Sequence, residues 1–375
     1  MIDMDDKEHM EEKKAGPSAN GLVTVKALPK GAPDKDVRKA VEAVAGAATD
    51  FSWLSRGDRV FIKLASNSHH PYPATTSPVG VRAMVELLKK AGAGEVIVGD
   101  KAGVQFVYQD RKKSRGSTRE LMRKNGILAA AEEAGADIHA FEEAGFDGFY
   151  GDRTVHESNW KGELYLPNIL KEVDHIVLLP RVSRHVLAGS TLGLKAAVGY
   201  LRDDSRLELH RDALTFYEKT AEINDASTLV EKLRLVLSVG TKVQTTFGPD
   251  MGYKAEPDPG LVFASESILA HDMVSLAWLL WNRDNFTPRG RQHWYVDPYK
   301  KIPGILNRFF VGYIWGPSEG FDSEYYRPRK IISVRTDPVL TRAAEIWGGF
   351  PELELIEAGG RMVGDIARYI KEKAA

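Results

Sequence analysis

The sequence predicts an α/β fold with mostly parallel or mixed sheets flanked by helices, plus an aromatic-rich insertion near residues 282–326. Three observations predict it. Short apolar runs alternate with helical periodicity between Leu22 and Asp100, further strand-like runs stand at His175–Pro180 and Leu261–Ser265, and Trp, Tyr and Phe crowd between Trp278 and Tyr326. At 375 residues the chain has room for two average domains or one large α/β body with an insertion.

Taken in order, residues 1–19 are charged and then turn-rich, with no period of either kind, and read as a disordered tail. The core spans residues 20–281. It opens with strand LVTVKAL, a helix over Asp36–Ala48, strand Arg59–Ala65, a polar loop, a helix over Pro78–Ala91 and strand Glu95–Asp100. In such a sheet the ligand crevice lies at the carboxyl ends of the strands. The segment Tyr108–Gly126 is rich in Lys and Arg. It reads as a solvated loop or an anionic-ligand lid, because no helix-turn-helix or aromatic ladder accompanies it. An alanine-rich helix and a strand at Asp137–Phe141 follow. Two helical patterns are expected between Leu207 and Leu237, then strand LVFAS and a helix over Ser265–Leu280 capped by Ser265 or Ser267. The aromatic-rich segment, residues 282–326, is expected to pack a small insertion core or an assembly surface for a homo-oligomer, to wall a pocket, or to form a membrane-facing edge. Residues 327–375 return to α/β alternation and complete the core.

Composition removes several classes of function. No cysteine is present, which excludes thiol nucleophiles, zinc–thiolate sites and a cysteine-ligated iron–sulfur cluster. Lys plus Arg is 51 against 52 Asp plus Glu, so the net charge of -1 gives no global attraction to nucleic acid, and no nucleic-acid partner is expected. No apolar run approaches the length of a transmembrane segment. The N-terminus is acidic where a secretory signal is basic, and a cytoplasmic location is the expectation.

Four clusters carry candidate chemistry. Lys63, Asn67, His69 and His70 follow a strand end, where Lys63 can neutralise an anion and Asn67 orient it. The adjacent histidines read more simply as a solvated loop. Asp100 sits at a second strand tip before a glycine-containing turn, with neither a dinucleotide fingerprint nor a phosphate loop beside it. The richest cluster is Arg181, Arg184, His185, Ser190, Thr191 and Lys195. Two arginines, a histidine and a lysine among small residues make an anion-binding segment with a titratable group inside it. A helix starting near Ser190 would add free N–H groups to that field. The fourth comprises Asp250, in a glycine–proline turn, and Asp272, in an apolar helix where a carboxylate must find partners.

Five ordered blocks, DRVFIKLASNS, TTSPVGVRAMVELLKKAGAGEVIVGDKAG, HIVLLPRVSRHVLAGSTLGLKAAVGY, TFGPDMG and LVFASESILAHDMV, resemble the domain of unknown function 362 family. The resemblance covers roughly residues 22–280 and the closing part near 330–362. It implies the fold and a pocket but no settled reaction. Two departures stand out: Val182-Ser183-Arg184-His185 replaces the usual Lys-x-x-His, and Lys195-Ala196 replaces Lys-Asn. Many relatives also carry ferredoxin-like cysteine clusters, which this chain lacks. The plan is similar to that of the nickel-pincer lactate racemases, with His185 and Lys195 resembling an acid/base and cofactor-holding pair; this is an analogy of fold.

The leading expectation is an enzyme acting on an anionic small molecule, or using a phosphorylated cofactor or a divalent metal. His185, Lys195 and Asp100 are its catalytic candidates, and Lys63, Asn67, Arg181, Arg184, Ser190, Thr191 and Asp272 its binding candidates. A metal site would draw on His185 with Asp100 or Asp250. The alternative is a non-catalytic anion- or cofactor-binding protein with an aromatic assembly surface. A catalytic pocket is expected to place His185 within hydrogen-bond reach of a second titratable group such as Asp100 or Asp272, which a passive anion site does not require.

Overall fold

The computed structural model describes residues 21–288 apart from 186 and 247, together with 331–359 and 364–375. The expected tail and most of the aromatic-rich insertion lie outside the described residues.

The α/β class is as expected. Eight strands form one sheet: β1 (Leu22–Leu28), β2 (Arg59–Leu64), β3 (Glu95–Asp100), β4 (Asp137–Ala140), β5 (His175–Leu179), β6 (Leu233–Gly240), β7 (Gly260–Ser265) and β8 (Glu354–Glu357). Their spatial order is β8-β1-β7-β6-β5-β2-β3-β4. Strands β6, β5, β2, β3 and β4 pair in parallel, β8 pairs in parallel with β1, and β7 runs antiparallel to both its neighbours. The sheet is therefore mixed, with one reversed strand.

Alternation along the strands splits the core between the two faces. Val60, Ile62 and Leu64 of β2 pack with Val41 and Val44 of α1 (Asp34–Ala48) and Met84 and Leu88 of α2 (Pro78–Ala91). Phe61, Ile97, Ile176 and Leu178 point the other way into a core shared with Met273, Leu276 and Trp278. Helix α2 shows how sequence punctuates an element: the Ser77 hydroxyl accepts from the Gly80 N–H, Pro78 takes the first position, and Gly92 ends the helix at φ 117°.

The helical expectation over Leu207–Leu237 needs correction at its end. Helix α4 (Asp203–Arg211), preceded by the short α3 (Gly193–Ala196), is followed by helical turns only as far as Lys232; Leu233–Gly240 is β6, in the middle of the sheet. Buried between two neighbouring strands, that run has no polar face to reveal its period, so it reads as either element. Helix α5 (Ile268–Phe286) begins where expected, its N-terminus capped by Ser267, whose hydroxyl accepts from Ala270 N–H at 3.2 Å. Two helices near the C-terminus, α6 (Pro338–Ile346) and α7 (Gly364–Ala374), pack with α5 in the same core as Trp278. Among the described residues no helix is long and apolar enough to cross a membrane.

Candidate functional site

The carboxyl ends of three adjacent parallel strands, β5, β2 and β3, open onto a cavity of about 480 Å³. Leu64, Ala65 and Asn67 come from the end of β2, Asp100, Lys101 and Gly103–Gln105 from the end of β3, and Arg181 from just beyond β5. His185, Leu187 and Thr191 enter from a hairpin in which Ser183–His185 pairs with Gly189–Thr191. Lys195 and Ala196 belong to α3, and Arg206 and His210 to α4. This is the crevice position that a parallel sheet favours.

Six of the sequence candidates therefore meet at one cavity: Asn67, Asp100, Arg181, His185, Thr191 and Lys195. Lys63, Arg184, Ser190 and Asp272 do not line it. Lys63 lies beneath, fully buried, with its Nζ 2.7 Å from Asp100 and donating to the carbonyls of Leu64 and Ala196. Burial pulls its pKa down while Asp100 opposes the shift. Arg184 donates to the Gly189 carbonyl across the hairpin, and His69 and His70 stack on each other at 4.4 Å.

Asp272 has a structural position instead. Its two carboxylate oxygens accept the N–H groups of Gly193 at 2.8 Å and Leu194 at 2.7 Å. The N–H groups expected to face a ligand from a helix near Ser190 are thus spent on Asp272, and that helix starts at Gly193. His271 Nδ1 donates to Asp272, and Ser238 Oγ lies 3.1 Å from His271 Nε2. The order hydroxyl, imidazole, carboxylate resembles a nucleophile relay, but all three residues are 0% exposed and none lines the cavity. They pin β6, α5 and the Lys195 turn together.

The carboxylates around the cavity are already satisfied. Asp100 accepts from Lys63 and from the N–H groups of Ser66 and Lys101. Asp250 accepts from Asn67 Nδ2 at 2.9 Å and Gln105 Nε2 at 2.6 Å, a clamp between three loops. The pairing of His185 with Asp100 or Asp272 does not form. Instead His185 Nδ1 accepts the N–H groups of Leu187 and Ala188, both at 3.1 Å. A nitrogen that accepts two N–H bonds carries no proton, so in the neutral ring the proton sits on Nε2. Among the described residues no group of three metal-ligating side chains is placed to hold a metal ion. The donor set agrees, since Asp100, Asp250 and His185 Nδ1 are all engaged.

The positive groups are differently placed. Arg206 gives its N–H groups to the carbonyls of Leu201, Ala102, Lys101 and Gly199, and Arg181 gives Nη1 to those of Ala74 and Pro249. Neither guanidinium, nor Lys195, makes an ion pair among the described residues. Arg181 Nε and Thr191 Oγ1 are buried with no hydrogen-bond partner among the described residues. Burial pulls Arg181 down to about 10, and burial with the Arg206 and Arg181 charges pulls Lys195 down to about 7. His185 is pushed well below its ordinary value by burial and by the charges of Lys195 and Arg181.

Sequence reasoning missed Arg206 and His210. His210 Nδ1 lies 2.7 Å from the Arg206 carbonyl, which can only accept, so Nδ1 carries the proton and Nε2 is the accepting nitrogen of the neutral ring. Burial and Lys195 push His210 down to about 3. The signal was the four-residue spacing of the two polar groups on a short helix whose Leu209 is buried.

The chain is 26% identical over 229 residues to a thylakoid-associated protein of Synechocystis sp., a match covering 60% of this chain and 63% of that relative, less than two thirds of its length. Among solved structures it is similar to the lactate racemase apoprotein of Thermoanaerobacterium thermosaccharolyticum, with a TM-score of 0.46 at 15% identity over 69% of this chain and 58% of that one. A Thermotoga maritima protein gives a TM-score of 0.41 at 12% identity over 66% and 59% of the two chains. Residues 60–277 match the family described as Domain of unknown function (DUF362). The chain belongs to that family, as a member without cysteine.

Proposed function

We propose that the cavity binds a small carboxylate-bearing anion and moves a proton on it. The observation that carries this reading is the lining itself: among the described residues Arg181, Arg206 and Lys195 make no direct ion pair, while Asp100 and Asp250 are already bound by other donors. A buried cation without a counter-ion is costly, and an anion entering between these groups offsets that cost. Arg181 Nε and Thr191 Oγ1 are buried without a hydrogen-bond partner among the described residues, and an anion that reaches them supplies one.

The two imidazoles support the chemical half. His185 presents a donor nitrogen and His210 an accepting one, both neutral near pH 7, in the same cavity. In this reading His210 accepts a proton only once a bound carboxylate offsets the Lys195 charge that helps hold its pKa down, and His185 donates a hydrogen bond to oxygen as negative charge grows on it. Lys63, behind Asp100, sets the position of the floor and does not touch the ligand.

Calorimetric titration with butyrate and 2-oxobutyrate tests the anion site. Arg181→Gln is expected to weaken both by about tenfold or more. Proton transfer is read by nuclear magnetic resonance as deuterium entering 2-oxobutyrate next to its carbonyl. Binding without exchange would leave an anion-binding protein with no acid–base role, and absence of binding would remove the whole reading.

A further inference from the structure

Three lysines stand at or just under the cavity, and two are spent. Lys63 is paired with Asp100 at 2.7 Å, and Lys101 with Asp203 at 2.5 Å. Lys195 differs in three respects. It makes no ion pair or hydrogen bond from its side chain among the described residues, it keeps part of its surface open, and it lines the cavity beside apolar walls from Leu64, Val104, Leu187 and Val198. Its backbone is held from behind by the Asp272 carboxylate on Gly193 and Leu194. Gly193 permits that approach, because a Cβ there would lie 2.7 Å from Asp272 Oδ1.

Resting on the anion-binding reading above, we propose that Lys195 is a nucleophilic amine that forms an imine with the carbonyl of a 2-oxo or 3-oxo acid whose carboxylate is held at Arg181 and Thr191. The Nζ lone pair forms a bond to the carbonyl carbon as the carbon–oxygen π pair moves to oxygen. The two Nζ protons then leave with that oxygen as water, and the carbon–nitrogen double bond closes. Neither an oxidant nor a reductant is consumed. His185, with its proton on Nε2, is a donor for the oxygen as it becomes negative, and His210 accepts a proton from the amine on its way out.

The charges facing Lys195 suit this role. Arg206 from α4 and Arg181 from beyond β5 both disfavour an ammonium there, His185 and His210 are neutral, and Asp100 is neutralised by Lys63. With its pKa at about 7, a large share of Lys195 is free amine at neutral pH, whereas a solvated lysine is almost wholly protonated. An apolar, partly closed cavity also favours loss of water over its return.

The test is reductive trapping. Full-length protein is incubated with 2-oxobutyrate or acetoacetate and sodium cyanoborohydride, and the adduct is located by peptide mass spectrometry. The expected result is one adduct on the peptide carrying Lys195, formed at least about tenfold faster than on any other lysine and rising with pH through neutrality. Lys195→Arg removes the nucleophilic amine and abolishes the adduct; a urea-unfolding midpoint matching that of the wild type shows that the loss is not one of folding. Adducts spread evenly over lysines, or unchanged in the variant, overturn the proposal. Binding of butyrate and 2-oxobutyrate without any adduct overturns it while leaving the anion site intact. If neither acid binds, the anion reading fails first and the imine with it.

Discussion

The two cavity histidines carry the same ring but opposite assignments, and the backbone makes the difference. Two N–H groups fix the lone pair of His185 at Nδ1, while one carbonyl fixes the proton of His210 at the same atom. Exchanging their roles would require both rings to break those bonds, so of the two rings His210 is the acceptor in the proposed reaction. His210→Gln is therefore expected to slow deuterium exchange into 2-oxobutyrate by roughly 100-fold. Binding of butyrate, measured by calorimetry, should change by no more than about threefold, because an amide keeps the hydrogen-bonding capacity without the basicity. Exchange at the wild-type rate would take His210 out of the proton path.

At the scale of elements, the site depends on one carboxylate that never touches it. Asp272 joins α5 to the first N–H groups of α3, and His271 and Ser238 extend the connection into β6. Asp272→Asn keeps the shape but places an amide where two N–H groups need acceptors. The expected cost is about 1–3 kcal/mol in urea unfolding. As a positioning residue, Asp272 should also shift the pH profile of Lys195 trapping upward, toward that of an ordinary lysine, as the α3 turn loosens. Loss of stability with an unchanged profile would confine Asp272 to the fold. A second positioning contact lies under Gly199, where a Cβ would meet Asp100 and Lys63 Nζ, so the pair occupies the space a side chain would take.

The same scale shows what the sequence made legible. Strands β1 and β3 and helix α2 are recoverable to the residue because each has a clean period and distinct punctuation, such as Ser77-Pro78 and Gly92. The cluster from Arg181 to Lys195 was legible as chemistry because its polar residues interrupt an apolar, glycine-bearing stretch. Which of them face the cavity was not. Arg184 and His185 are neighbours in a strand, where one-residue steps reverse the face, and only the pairing with Gly189–Thr191 decides between them. Lys63 is ambiguous for a related reason: a lysine at a strand end suits a ligand or a carboxylate, and Asp100, which pairs with it, comes from the adjacent strand. Arg206 and His210 are harder to read because their four-residue spacing marks one shared helix face without showing that α4 turns that face inward.

For the whole molecule, the site has a thermodynamic signature that does not require a substrate. An ordinary histidine titrates near 6.5, and folding pushes His210 to about 3 and His185 well below its ordinary value. Between those values the unfolded chain binds protons that the folded chain refuses, so stability rises with pH across that range. The contribution of His210 is complete above about pH 6.5 and is lost progressively as pH falls toward about 3. Lys195 acts in the same direction in a higher window. Its pKa is about 7 in the fold against 10.5 unfolded, so its effect rises between those values and is fully unfavourable below about 7. A urea-unfolding series from pH 5 to 9 is therefore expected to show stability increasing through neutrality. An anion should flatten the upper limb by restoring the Lys195 proton. His210→Gln should flatten only the lower one, because glutamine does not titrate. A profile unchanged by both butyrate and His210→Gln would mean that the cavity charges are solvated, and the case for a buried cationic site would fail with it.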